Sequence, residues 1–216
     1  MAQSFDELLL HAEQAIAAEK YAEAEEALKQ AGKLSESFAR EDERRFVPLE
    51  MLADVLEKSG KEAAAEETLQ QAVEARKDLY GPMHRKFADG LNRLASFYYE
   101  HNRFPEAEPV CKQILNIYEK IYGGSHEKMA LTAGQLAVTL QHQNKLEEAE
   151  DYFKRAIDIR KDLFGTLDAE SVWLFQHYAN LLEATGRNDE AEYLIACAQG
   201  RVSGIMRTIV ITKENK

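Results

Sequence analysis

Residues 94–123 read LASFYYEHNRFPEAEPVCKQILNIYEKIYG. At a spacing of 42, residues 136–165 read LAVTLQHQNKLEEAEDYFKRAIDIRKDLFG and residues 52–81 read LADVLEKSGKEAAAEETLQQAVEARKDLYG. A Leu-Ala pair recurs at Leu52-Ala53, Leu94-Ala95 and Leu136-Ala137, with Tyr178-Ala179 in its place one period later. A second small residue, followed by glutamate, keeps step at Ala65-Glu66, Ala107-Glu108, Ala149-Glu150 and Ala191-Glu192. An aromatic residue and a glycine close three copies at Tyr80-Gly81, Tyr122-Gly123 and Phe164-Gly165. An earlier copy, offset by 41, sets Ala12 and Ala24 on the same marks. Self-similarity at a fixed period of this length is the signature of a repeat protein, in which each copy contributes half of a core.

The repeat divides in the middle. KSGK at 58–61, HNR at 101–103, QNK at 143–145 and TGR at 185–187 each hold Gly, Asn or a similar terminator. Gly and Asn adopt the left-handed conformation cheaply and so end helices. Each copy therefore reads as helix A, turn, helix B. Leu91, Leu94, Ala95 and Tyr98 fall at i, i+3, i+4 and i+7, one apolar face of helix A; Ala107, Cys111, Ile114, Leu115 and Tyr118 do the same for helix B. The small residues let the two helices approach closely. Helices are expected over 4–17, 20–38, 45–59, 62–80, 84–101, 104–122, 126–143, 146–164, 168–185 and 188–203. The expected organisation is one repeat region over 1–203, with repeats near 4–41, 45–83, 84–125, 126–167 and 168–203, and a tail at 204–216.

Composition agrees. Of 216 residues, 45 % are apolar, enough for a core, and Pro (4) and Gly (11) are too few for a β protein that turns often. The net charge of −11 is concentrated in residues 1–80, which hold 19 acidic and 10 basic side chains. With no dense Lys/Arg stripe, nucleic acid is not an expected partner. No apolar run is long enough to span a bilayer, and MAQSFDELLLHAEQ lacks a basic leader, so no membrane association is expected and the cytoplasm is the expected location. Cys111 and Cys197 are too few and too far apart for a disulfide framework or a zinc site.

The pattern, carried by LNRLASFYYEHNRFPEAEPVCKQILNIYEKIYGGSH (91–126), LAVTLQHQNKLEEAEDYFKRAIDIRKDLFG and their echoes, resembles the tetratricopeptide repeat, and its 42-residue form resembles the repeats of kinesin light chain. The resemblance implies an all-α fold, a right-handed α-solenoid of about five helix-turn-helix repeats, that binds protein or peptide partners along the concave face lined by the A helices. The inter-repeat loops GPMHRK, GGSHEK and GTLDAE depart from the His-Pro that the family usually carries there.

On that geometry the A-helix positions opposite the Leu-Ala face line the groove. They are Glu50, Asp54 and Glu57; Asn92, Arg93, Ser96 and Tyr99; Gln135, Val138 and Gln141; and Gln176, His177, Asn180 and Glu183. Side-chain amides carry donor and acceptor together, so Asn92, Gln135, Gln176 and Asn180 suit the backbone of an extended peptide. By the resemblance Asn92, in LNRLA, is a peptide-backbone clamp. Glu50, Gly134 and Gln176 stand at its place in the other copies. Arg93 is the candidate for meeting an acidic side chain. The Lys-plus-Asn pair with which some tetratricopeptide repeats hold chaperone C-termini is missing.

Nothing in the sequence assembles a catalytic, cofactor or metal site. His11, His84, His101, His126, His142 and His177 are scattered, and His84 and His126 occupy equivalent loop positions, which suits a structural role. In GGSHE (123–127), Ser125 is the expected cap of the following helix. The carboxylates of EAEEAL and EEAED sit on helix surfaces, with lysines three or four positions away. Trp173, the sole tryptophan, either packs between repeats or anchors a partner. The tail RVSGIMRTIVITKENK caps the last repeat or pairs with another chain as a strand, with disorder as the remaining alternative. The expected function is a non-catalytic adaptor that binds a peptide or protein segment in its groove. The alternative is a self-assembling subunit, a homodimer formed through the tail or a repeat end.

Overall fold

The computed structural model describes residues 3–39, 41–164 and 169–200, and the tail from 201 lies outside them. The described residues form ten α-helices: α1 (Phe5–Ala17), α2 (Tyr21–Ser35), α3 (Val47–Lys58), α4 (Glu62–Tyr80), α5 (Arg85–Glu100), α6 (Phe104–Tyr122), α7 (Glu127–His142), α8 (Leu146–Phe164), α9 (Ala169–Ala184) and α10 (Asn188–Ala198). A single turn of 3₁₀-helix, Glu43–Arg45, precedes α3. Two compact units divide within α5, between Phe97 and Tyr98.

The same device ends each A helix. One residue takes the left-handed conformation: Glu19 (φ 57°), Gly60 (74°), Asn102 (56°), Asn144 (59°) or Gly186 (77°). The next residue is always basic, and its N–H reaches back five residues to a carbonyl of the helix. These bonds are Lys20 to Ala15 (2.8 Å), Lys61 to Leu56 (2.8 Å), Arg103 to Tyr98 (2.8 Å), Lys145 to Leu140 (3.0 Å) and Arg187 to Leu182 (2.8 Å). This is the Schellman closure, which satisfies carbonyls that the helix end would otherwise strand. Glycine and asparagine announce it at four turns. At Glu19 nothing local does, and the closure is imposed by the packing of α1 on α2.

The small residues lie where the helices of a pair cross. Ala12 and Ala24 are fully buried in the first unit, as are Ala137, Ala149, Ala179 and Ala191 in the second. The first pair buries Phe5, Leu8, Ala15, Leu28 and Ala31 with them, and Val55 of α3 joins the same cluster. At the other end of two pairs, α4 and α6 pass to the next A helix through an aromatic residue and a glycine, Tyr80-Gly81 and Tyr122-Gly123; Gly165 of the third expected copy lies outside the described residues. Both glycines have positive φ (85° and 76°), a conformation that a side chain would strain.

The expected cap of α7, Ser125, is displaced by its neighbour. His126 is the N-cap, its Nδ1 accepting from the Lys128 N–H at 3.1 Å, and its ring stacks on Tyr122 at 3.8 Å. His84 repeats the arrangement, accepting from the Lys86 N–H at 3.2 Å and stacking on Tyr80 at 5.0 Å. A histidine three residues after the glycine can cap and stack together. A serine hydroxyl can only cap.

Where B helices meet the next A helix, one repeat position changes identity with its partner. Tyr118 of α6 lies under the Lys128 ammonium, 5.6 Å from the ring centre. One period on, Arg160 of α8 is buried and donates to Glu170 at 2.7 Å and Ser171 at 3.3 Å. An aromatic ring facing a cation is thus exchanged for a cation facing a carboxylate. In the first unit Arg76 holds the equivalent place, bonded to Glu50 (2.5 Å) and to the Lys86 carbonyl (3.1 Å). Gly90 leaves room for it: a Cβ there would stand 2.8 Å from the Arg76 Cδ.

Candidate functional site on the A helices

The candidate residues of the first unit are largely engaged. Glu50 is tied to Arg76. Arg93 is exposed but donates to Asp54 at 2.5 Å and to the Glu50 carbonyl at 3.4 Å. The Asn92 amide is half-buried and donates to the Ala88 carbonyl of its own helix at 3.0 Å, one turn back. Ser96 is exposed. This unit also holds a cavity of about 530 Å³ between α2, α3 and α4, floored by Leu28, Phe46 and Leu52, to which none of the expected site residues contributes.

The second unit carries a different surface. On α9, Trp173, Gln176, His177 and Asn180 share one face by their spacing, with Gln176 and Asn180 exposed and Trp173 and His177 half-buried. The imidazole of His177 leans on the indole, ring centres 4.4 Å apart. Glycine at 134 lets α9 come close to α7: a Cβ there would stand 2.5 Å from Leu174 Cδ2 and 3.1 Å from Trp173 Cζ3. Trp173 therefore packs between A helices while keeping part of its ring exposed.

On α7, Gln135 is exposed and Gln141 half-buried, with its Oε1 buried and unbonded among the described residues. Val138 is 1 % exposed and does not belong to the surface expected of it. The reason is that α7 packs against α6, α8 and α9, so a position that is outward on a two-sided helix is covered here. His142, which spacing did not single out, lies flat on Phe104 at 4.2 Å, and Tyr99 meets the same Phe104 edge-on at 5.8 Å. Burial lowers the pKa of His177, and the charge that His142 would carry lowers it further. Burial raises that of Tyr99.

A carboxylate at the same repeat position locks one repeat to the next within each unit. Glu108 of α6 accepts from Lys112 (2.7 Å), from the Gln143 amide (3.0 Å) and from Lys145 in the next turn (2.6 Å). Glu150 of α8 pairs with Lys154 (2.6 Å) and Arg187 (2.8 Å), and accepts from the Tyr178 hydroxyl (3.0 Å). Burial alone would raise these two carboxyls. The cationic and neutral donors outweigh it and bring both down to about 2. Glu25 repeats the motif with Lys29 and Lys61, each at 2.7 Å. These are structural charges, bound on every side. Burial pushes the Cys111 thiol up to about 12, which leaves it protonated and inert. Among the described residues no cluster of His, Cys, Asp or Glu is arranged to hold a metal ion, and no helix is long and apolar enough to cross a membrane.

The sequence model of the tetratricopeptide repeat matches residues 87–162 and 128–200, and a second model of the same repeat matches 49–79. No curated protein sequence matches significantly. Among solved structures, BtubC (BKLC) of P. vanneervenii is 20 % identical with a TM-score of 0.76, over 90 % of this chain and 78 % of that one. A kinesin-light-chain-like protein of nearly identical TPR-like repeats from Podosopora anserina is 19 % identical, TM-score 0.73, over 89 % and 92 %. MamA from Desulfovibrio magneticus RS-1 is 14 % identical, TM-score 0.65, over 93 % and 96 %. At these identities the likeness is one of fold, an all-α solenoid of helix-turn-helix repeats. With the repeat's sequence model matching over more than half of its length, the chain belongs to the tetratricopeptide repeat family.

Proposed function

We propose that the protein is a non-catalytic interaction module that holds a peptide or protein segment on the A-helix face of its second unit. Tetratricopeptide repeats in general mediate protein–protein interaction or scaffolding. The observation that carries the reading is the α7–α9 surface. Its exposed amides Gln135, Gln176 and Asn180 form no side-chain hydrogen bonds among the described residues and lie beside a partly exposed indole and imidazole. Amides that a fold leaves unused are donors and acceptors matched to a peptide backbone, and a half-buried tryptophan gives a flat anchor. The face of the first unit supports the reading less well, because Arg93, Glu50 and Asn92 bond within the fold.

The test is a selection of random decapeptides on the immobilised chain, followed by affinity measurements on the double variant Gln176→Ala/Asn180→Ala, with circular dichroism confirming unchanged helicity. Selected peptides are expected to lose at least about tenfold in affinity, the scale of one or two hydrogen bonds. Peptides that bind the variant as well as the parent would place the contact elsewhere.

A further inference from the structure

Five rings of the fold carry one of the chain's own cations. Arg44 stands over Phe38, Arg76 over Phe46, Lys86 over Tyr80, Arg103 over Tyr98 and Lys128 over Tyr118, at 4.7–5.6 Å from the ring centres. The rings on the A-helix face of the second unit have none. There His142 lies on Phe104, Phe104 meets Tyr99, and His177 leans on Trp173. His177 lies within range of the charge that His142 would carry, which joins the two groups in one row. All five are half-buried or exposed, and no Lys or Arg covers any of them among the described residues. The charges nearby point the same way. The basic residues of the adjoining turns are committed elsewhere: Arg103 to Glu106, Lys145 to Glu108, and Arg187 to Glu150 and Glu190. Three exposed carboxylates of these A helices, Glu100, Glu127 and Glu183, make no hydrogen bond or ion pair among the described residues. Glu183 shares the face of Gln176 and Asn180, and Glu100 follows Tyr99.

We propose that the occupant of this face is a basic peptide segment, its cationic side chains laid over the ring row and paired with Glu100 and Glu183. The inference rests on the reading of the face as a peptide site and names its ligand class. The face of an aromatic ring attracts a cation through its quadrupole, as the fold's own five pairs show. A free carboxylate beside the rings adds an ion pair. An acidic segment would meet like charges and no free cation to balance them. Arginine suits the face best. Its planar guanidinium stacks on a flat ring and is more weakly hydrated than an ammonium. It also keeps N–H donors for the carboxylates and for the amide oxygens of Gln176 and Asn180.

Trp173 is the only tryptophan, so its emission reports this face alone. The full chain is titrated at about pH 8, where imidazoles are uncharged, with three blocked decapeptides: alternating Arg-Ala, Gln-Ala and Glu-Ala. Arg-Ala is expected to give a saturable change in emission, with Gln-Ala at least about tenfold weaker and Glu-Ala silent. Glu100→Gln/Glu183→Gln, which breaks no bond of the fold, should weaken Arg-Ala about fivefold, the scale of two exposed ion pairs. Glu13→Gln/Glu62→Gln removes the same charge from exposed sites of the first unit and should leave the affinity within about twofold. No saturable change with Arg-Ala up to millimolar, an equal response to Gln-Ala, or an equal loss in the two double variants overturns the inference. The peptide-site reading is tested separately. Library-selected peptides that lose affinity in Gln176→Ala/Asn180→Ala yet carry no basic residue would leave that reading standing and end this one.

Discussion

The Glu150 carboxylate on α8 accepts from Arg187 at 2.8 Å, joining a B helix to the A–B turn of the next repeat 37 residues later. Glu108 and Lys145 stand in the same relation, 37 residues apart and 2.6 Å from each other, and Glu25 and Lys61 nearly so, 36 residues apart at 2.7 Å. In each case the basic residue closes the Schellman turn with its backbone and clamps the preceding repeat with its side chain.

These clamps make stability depend on acid. With its folded-state pKa lowered from 4.5 to about 2, Glu150 contributes stability that is complete above about pH 5 and lost as the pH falls through 4 toward 2. Only 14 % of its side chain is exposed, so solvent screens little of this. Glu150→Gln should cost about 2 kcal/mol at neutral pH, the scale of hydrogen bonds to a charged group. The difference in Tm between variant and parent should shrink toward zero as the pH approaches 2. A difference that stays constant over pH 7 to 2 would show that the carboxylate's charge is not what is used.

Glu19 performs in the first turn what Gly60, Asn102, Asn144 and Gly186 perform in the others, at φ 57°. A non-glycine residue in this region carries a cost of about 1 kcal/mol. Glu19→Gly removes it and should raise Tm by roughly 2–4 °C in a chain of this size. Thermal unfolding followed by circular dichroism checks this, and an unchanged or lower Tm counts against strain at Glu19.

Gly134 makes room for α9. In Gly134→Ala the new methyl would meet Leu174 Cδ2 at 2.5 Å and Trp173 Cζ3 at 3.1 Å, so α9 or its side chains must shift. The expected cost is about 1–3 kcal/mol, the range for overpacking a core. The emission of Trp173 should change with it. Native emission together with native stability would mean that the contact yields without cost.

His126→Ala removes both the cap of α7 and the stack on Tyr122. The expected loss is about 1–2 kcal/mol in chemical denaturation. His126→Asn restores the cap but not the ring, and should recover the capping share alone. If the two variants are equally stable, the cap contributes nothing.

The repeat, its division into helix pairs, the alanines at the crossings and the turns at Gly60, Asn102, Asn144 and Gly186 are legible in the order of residues alone. All of these are local: they follow from helical periodicity and from which residues tolerate a left-handed backbone. Gln176 and Asn180 were legible for the same reason, since an outward position on an amphipathic helix follows from spacing. Which expected site residues are already engaged emerges only once the helices are packed together. Arg93 and Glu50 have partners 39 and 26 residues away, a distance over which helical spacing carries no information. Val138 sits at an outward position of α7 but is covered because that helix has neighbours on several sides. Choosing His126 over Ser125 depended on the ring of Tyr122, and the placement of Trp173 depended on a glycine in another repeat. Period and turn chemistry are properties of a few consecutive residues, whereas availability for binding depends on every element packed nearby.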